Sequence, residues 1–386
     1  MALTSADILE RLIAFPTVSR EPNMALIDYV QAFLADAGID CVLVPDESGT
    51  KANLFATIGP SERPGVMLSG HSDVVPVEGQ DWSLDPFTLN RRDGRFYGRG
   101  TADMKGFVAC MLRIAQRAAA RTLKTPLHIA LSYDEEIGCV GVRRLLDMLE
   151  VAPVRPAFCI VGEPTSLAVA TGHKGKTALR AVCKGREGHS ALAPFALNAV
   201  HLACDFVAEI RGLQQRIATE GARDEDYEVP YTTLHVGKIA GGVALNIVPN
   251  HAEISFEIRN LAADDPDAII ADLQAAADRL TEAARAQAEE AAISIEVQNS
   301  YPGLNTAPNA AVVEFVKSLT GANATNKVAF GTEGGLFSDR LGIATVVCGP
   351  GSMAQGHKPD EFVSEAQIAR CDAMLDTLLE RLEAGL

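Results

Sequence analysis

The chain has 386 residues, enough for two or three domains with buried cores, and a composition of 47% hydrophobic and 22% charged residues excludes wholesale disorder. Its 34 basic against 50 acidic residues give a net charge of −16, which argues against nucleic acid or an anionic membrane as partner, and no Lys/Arg run offsets it. No stretch nears the ~18 uncharged apolar residues of a membrane span, and eight scattered cysteines without a CxxC pair read as buried free thiols of a cytoplasmic protein.

The N-terminal MALTSADILERLIAF sets Asp7, Glu10 and Arg11 among apolar residues, which predicts an amphipathic helix and not a signal peptide. Over 1–176, VMLS (66–69), LHIALS (127–132) and FCIVG (158–162) are predicted as buried strands, alternating with helices at 106–121 and 142–149. That alternation predicts an α/β domain on a mixed, largely parallel sheet. From 177 the pattern changes to strands with alternating character: TALRAVC (177–183), YTTLHVG (231–237), EISFEIR (253–259) and ISIEV (293–297). Two helical stretches, 195–218 and 266–291, interrupt them, so 177–298 is predicted to be an inserted α+β unit of four strands and two helices. The turn-rich NSYPGLNTAPN (299–309) opens the second part of the α/β domain, 299–386, with IATVVC (343–348) as a strand. Its final helix carries Ile368, Cys371, Leu375, Leu378 and Leu382 on one stripe.

Five segments gather acidic residues and histidines beside Gly or Pro at the ends of these strands, where α/β sheets form their sites: SGHSDVVP (69–76), GRGTADMKG (98–106), YDEEIG (133–138), VGEPT (161–165) and GSMAQGHKPDE (351–361). His71 and Asp73, two apart at a strand end, share a side; they suit a metal ligand with an orienting carboxylate, or a turn with a satisfied histidine. Asp103 lies between glycine turns that lack phosphate-loop spacing, and by itself reads equally as a tight turn. Asp134, Glu135 and Glu136 are an acidic run, commonly a solvated face, but here they follow an apolar strand, as Glu163 follows FCIVG. Together, two histidines and three or more carboxylates form an imidazole and oxygen donor set suited to Zn, Co or Mn, with one carboxylate shared between two ions.

These segments, in this order, resemble the M20 metallopeptidase and deacylase family over nearly the whole chain. GHKG (172–175), VPYTTLHVGKIAGG (229–242), GTEGGLF (331–337) and CGPGSMAQGHKPDE (348–361) resemble the family's acetylornithine deacetylase group most. The resemblance implies a zinc-exopeptidase-like catalytic domain with an inserted dimerisation or lid domain, and a homodimer formed through it. It implies two divalent ions, zinc foremost and cobalt as the alternative. Asp103 is then the bridging ligand, His71 and Glu163 complete one site, and Glu136 and His357 the other. Asp73 orients His71, Glu135 is the general base, and a cis peptide falls at Asp103–Met104. In GREGHSA (185–191), His189 matches the family's oxyanion histidine, which reaches a neighbouring active site. Asn246 and Arg259 match substrate-contacting lid positions, with Arg259 suited to an α-carboxylate. Glu333 is assigned to a cationic substrate side chain. Ser72, Gly334 and Gly356 depart from the family's commoner residues, and Gly334 bears on pocket shape.

The implied reaction is removal of the acetyl group from N2-acetyl-L-ornithine, a small N-acyl amino acid, giving ornithine and acetate in arginine biosynthesis. The alternatives are a succinyl-diaminopimelate desuccinylase, an N-acetylcitrulline deacetylase, a dipeptidase, or a non-catalytic metal-binding protein.

Overall fold

The computed structural model describes residues 3–386. The chain divides into two compact units, one built from Met1–His173 with Leu304–Leu386 and the other from Lys174–Gly303.

The first unit is organised by a nine-stranded mixed sheet. Its spatial order is Cys41–Pro45, Ala52–Ile58, Leu127–Ser132, Val66–His71, Phe158–Pro164, Ala344–Gly349, Val169–His173 and Leu304–Asn305, with Thr325–Val328 also pairing Val169–His173. The four central strands, from Leu127–Ser132 to Ala344–Gly349, run parallel, and antiparallel pairs flank them. Val66–His71 and Leu127–Ser132 are buried at every residue, as strands covered on both faces must be. That is why both read as continuous apolar runs.

Helices Ser5–Ile13, Lys105–Ala119 and Glu365–Ala384 pack together on this sheet, and Val142–Glu150 packs against Gly334–Leu341. Ser5–Ile13 lies within the predicted N-terminal helix; its capping box pairs Thr4 with Asp7. Gly162 shows how closely the layers meet, since a Cβ there would fall 1.9 Å from the Phe107 ring of the central helix. Helix Met24–Asp36 and strands Cys41–Pro45 and Ala52–Ile58 were not predicted. Among the described residues no helix is long and apolar enough to cross a membrane. All eight cysteines are free; six are buried as expected, Cys41 is half-buried and Cys204 is exposed.

The second unit is a four-stranded antiparallel sheet ordered Thr233–Gly241, His251–Arg259, Lys176–Lys184, Ala292–Tyr301. Burial alternates along Lys176–Lys184, so Leu179, Ala181 and Cys183 face the helices while their neighbours stay wetter. Helices Ala199–Glu220 and Pro266–Arg285 cover that face, with Phe206 edge-on to Phe256 at 6.1 Å. The first helix starts four residues later than predicted. Pro194 lies in a short 3-10 segment, and Asn198 then caps the helix through the amides of Val200 and His201. The second begins at Pro266 behind the Asp265 cap as predicted but ends at Arg285, and 286–291 leave the helix.

Candidate metal centre

Four of the five segments reach the same place because parallel strands end together. His71 is the last residue of Val66–His71; Glu135 and Glu136 follow Leu127–Ser132; Glu163 is the last but one of Phe158–Pro164; His357 lies in the loop after Ala344–Gly349. Asp103 arrives differently, from a turn ahead of helix Lys105–Ala119. Gly98 and Gly100 there have φ of +152° and +87°, backbone that only glycine adopts freely. The Asp103–Met104 peptide is cis.

Asp103 stands between the two histidines. Its Oδ1 lies 3.2 Å from His71 Nε2 and its Oδ2 lies 3.2 Å from His357 Nε2. His71 Nε2 is 3.7 Å from Glu163 Oε1, and His357 Nε2 is 3.0 Å from Glu136 Oε2. Donor atoms of His71, Glu135 and Glu163, and of His71, Asp103 and Glu136, lie within 4.8 Å of one another. His71, Asp103, Glu135 and Glu163 are buried, whereas the His357 side chain is 48% exposed.

The electrostatics describe a pocket short of positive charge. Burial opposes the charged form of His71, yet Asp103, Glu163 and Asp73 raise its pKa well above the ordinary value. Bonds to Asp103 and Glu136 lift His357 to about 10. Asp103 is buried, but the two imidazoles hold its carboxyl below the usual carboxylate range. Burial, then the charge of Asp103, pushes Glu136 up to about 7, and burial drives Glu135 and Glu163 well above their ordinary values. Glu136 Oε1 is buried without a hydrogen-bond partner. Crowded carboxylates with open lone pairs and two imidazoles fit divalent cations.

His71 Nδ1 lies 2.9 Å from the carbonyl oxygen of Asp73 and 3.6 Å from its carboxylate. The Asp73 carboxylate instead accepts from the amides of Glu135 and Glu136, at 3.1 and 3.3 Å, and from the Ser19 hydroxyl at 2.7 Å. Glu333 is 1% exposed; Ser69 donates to its Oε2 at 3.2 Å, and burial raises its pKa to about 7 against the opposing pull of the Ser132 and Ser69 hydroxyls.

The remaining three candidates belong to the second unit. His189 pairs with Ile247 in a two-residue ladder, and Asn246 accepts from the Ser190 amide at 3.0 Å, so these two are neighbours. His189 is exposed and its Nδ1 accepts from the Ala191 amide at 3.1 Å. The neutral ring therefore carries its proton on Nε2. Arg259, at the end of its strand, bonds Glu257 at 3.0 and 3.3 Å.

Several close contacts went unread in the sequence. Ser19, Gln80, Arg99 and Glu361 all hold backbone or side chains of the candidate ligand segments. For Arg99 and Glu361 a signal exists, since each is a charge inside a segment already singled out. Ser19 and Gln80 carry none.

Imidazoles and carboxylates converging on a shared aspartate at the carboxyl ends of parallel strands define the class, a metal-dependent hydrolase. Residues 67–381 match the model of peptidase family M20/M25/M40, and the chain belongs to that family. It is 36% identical to an acetylornithine deacetylase of Myxococcus xanthus over 374 residues, covering 95% of this chain and 94% of that one. It is 33% identical to an acetylornithine deacetylase of Pasteurella multocida, covering 97% of each chain. The M20 family metallo-carboxypeptidase Sso-CP2 of Sulfolobus solfataricus shares the fold, with a TM-score of 0.81, 19% identity and 99% of each chain covered.

Proposed function

We propose that this chain hydrolyses N2-acetyl-L-ornithine to L-ornithine and acetate. The observation that carries the reading is the donor cluster around Asp103, with Glu135 beside it as an extra carboxylate; the names of the relatives support the choice of substrate. His71, Asp103 and Glu163 would hold one ion, and Asp103, Glu136 and His357 a second, zinc or cobalt. When bound, such ions polarise the acyl carbonyl and make water acidic near neutral pH.

The chain's own groups supply the rest. Glu135 takes the proton of the attacking water and delivers it to the leaving nitrogen. Asp73 holds the Glu135 amide and, through its carbonyl, the His71 ring. His189 donates from Nε2 to the oxyanion, where one donor is typically worth ~2.7–4 kcal/mol; the tautomer fixed by Ala191 supports this role. Asn246 and Arg259 contact the substrate, and Arg259 takes the α-carboxylate in exchange for Glu257. Glu333 is assigned the δ-ammonium: its buried carboxylate supports the role, and meeting it would require a desolvated ion pair. The second unit, predicted from the sequence as 177–298 and spanning Lys174–Gly303, serves as lid and dimerisation domain of a cytoplasmic homodimer.

The test is product release from a panel containing N-acetyl-L-ornithine, N-acetyl-L-citrulline, N-succinyl-L,L-diaminopimelate and a dipeptide. Ornithine release with the highest kcat/KM supports the proposal, and higher kcat/KM on another member moves the substrate to that one. Metal uptake with no turnover of any member would favour a non-catalytic metal-binding protein.

A further inference from the structure

Behind the candidate ligands lies a second set of contacts that none of the proposed roles uses. Arg99 and Glu361 are each 1% exposed and form an ion pair, Nη1 to Oε2, at 2.6 Å. The other oxygen of Glu361 accepts from the amides of Ala102 and Asp103 at 2.8 and 3.1 Å. Glu361 therefore fixes the backbone from which the shared aspartate projects.

Gln80 links the same guanidinium to the His357 loop. Its Oε1 accepts from Arg99 Nη2 at 2.5 Å and from Trp82 Nε1 at 3.0 Å. Both partners are obligate donors, so the amide oxygen must face them. Its Nε2 then points away and donates to the carbonyl oxygen of His357 at 3.0 Å. The Trp82 ring lies 4.9 Å from the Arg99 guanidinium.

The His357 loop needs such support. His357 and Asp360 have φ of +61° and +54°, a region that residues with a side chain keep only when their surroundings impose it. Asp360 is held by the Ser83 amide at 3.0 Å. The imidazole of His357 is half-exposed, and its Nε2 contacts Asp103 and Glu136. A buried ion pair adds little net stability over apolar residues of the same volume, so Arg99–Glu361 is weak as a purely structural device.

We infer that Gln80, Arg99 and Glu361 are positioning residues for the metal centre: Glu361 places Asp103 through its amide, Gln80 places His357 through its carbonyl, and Arg99 couples the two. The inference rests on the two-metal reading above.

Gln80→Glu tests the claim, because it keeps an acceptor toward Arg99 and Trp82 and replaces the donor toward His357 with a charged oxygen that repels that carbonyl. The full chain, stripped with chelator, is titrated with zinc against a chromogenic competitor, with the Tm of the stripped protein as the fold check. Wild type is expected to bind two zinc ions. Gln80→Glu should bind one like wild type and the other about 10–100-fold more weakly, the usual loss when an outer partner of a ligand is removed. In a His357→Ala background the same substitution should cost nothing further, because the residue it acts through is gone. Glu361→Gln should weaken both ions, since Asp103 serves both; if that buried variant does not fold, Gln80→Glu decides. Wild-type zinc affinities in Gln80→Glu, or an equal loss with and without His357, would overturn the inference. Wild-type protein that takes up no zinc would overturn the metal reading and this inference with it.

Discussion

His128 gives a prediction whose size follows from the structure. It sits in the central strand Leu127–Ser132, 4% exposed, with its ring stacked on Phe55 at 5.6 Å. Its Nδ1 meets the Thr57 hydroxyl at 2.9 Å, and its Nε2 is buried without a partner. Burial with no acid nearby pushes its pKa from 6.5 down to about 4. In the unfolded chain the ring takes a proton near pH 6.5, and in the folded chain only near pH 4. Its contribution to stability is therefore intact above pH 6.5 and is lost as pH falls toward 4. A shift of that size at ~1.4 kcal/mol per unit amounts to roughly 3 kcal/mol in full, and about 2.5 kcal/mol between pH 7.5 and 4.5.

His128→Gln keeps a polar group toward Thr57 and removes the titration. Urea unfolding of both stripped proteins at the two pH values, followed by the chain's one tryptophan, reads the effect. Trp82 belongs to the same unit as His128, so it reports the relevant transition. The acid-induced loss of stability should be smaller in the variant by about 2–3 kcal/mol. Equal losses within ~0.5 kcal/mol, the scatter of a neutral surface change, would refute the reasoning.

Glu135→Gln should lower kcat by ~10²–10⁴-fold with zinc content unchanged, because a base is lost while the other carboxylates remain; metal analysis beside kinetics checks both halves. Ser19→Ala should cost about 1–3 kcal/mol of stability, as it removes a donor from the buried Asp73 carboxylate, and should lower kcat more than it changes KM. Thermal unfolding and steady-state kinetics measure the two effects. Glu333→Gln should raise KM for N-acetyl-L-ornithine more than for a neutral N-acetyl amino acid, and an equal effect on both would remove Glu333 from substrate recognition.

What was legible in the sequence follows the range of the interactions. Val66–His71 and Leu127–Ser132 are apolar throughout because both sheet faces are covered, and the acids and histidines that follow them fall together because parallel strands end on one side. The second unit was readable for the opposite reason: one bare face leaves alternation along Lys176–Lys184 and His251–Arg259. Met24–Asp36 has its own apolar periodicity in Leu26, Ile27, Val30, Phe33 and Leu34, but no chemistry-bearing motif drew attention to it. The supports of the site were not legible. Gln80 meets His357 across 277 positions and Arg99 meets Glu361 across 262, and nothing local marks either pairing. Asp73 was expected to orient His71, and its carbonyl does lie on the ring, but the clamp its carboxylate makes on Glu135 and Glu136 depends on how the two strand ends come together.

The most direct test of metal-dependent hydrolysis at Asp103 is turnover of N-acetyl-L-ornithine by chelator-stripped protein, before and after addition of zinc or cobalt, with bound metal counted in the same samples. Activity absent from the stripped protein and restored as two ions bind per chain is the expected result. Full turnover by protein that holds no metal, or folded protein that takes up none, would contradict it.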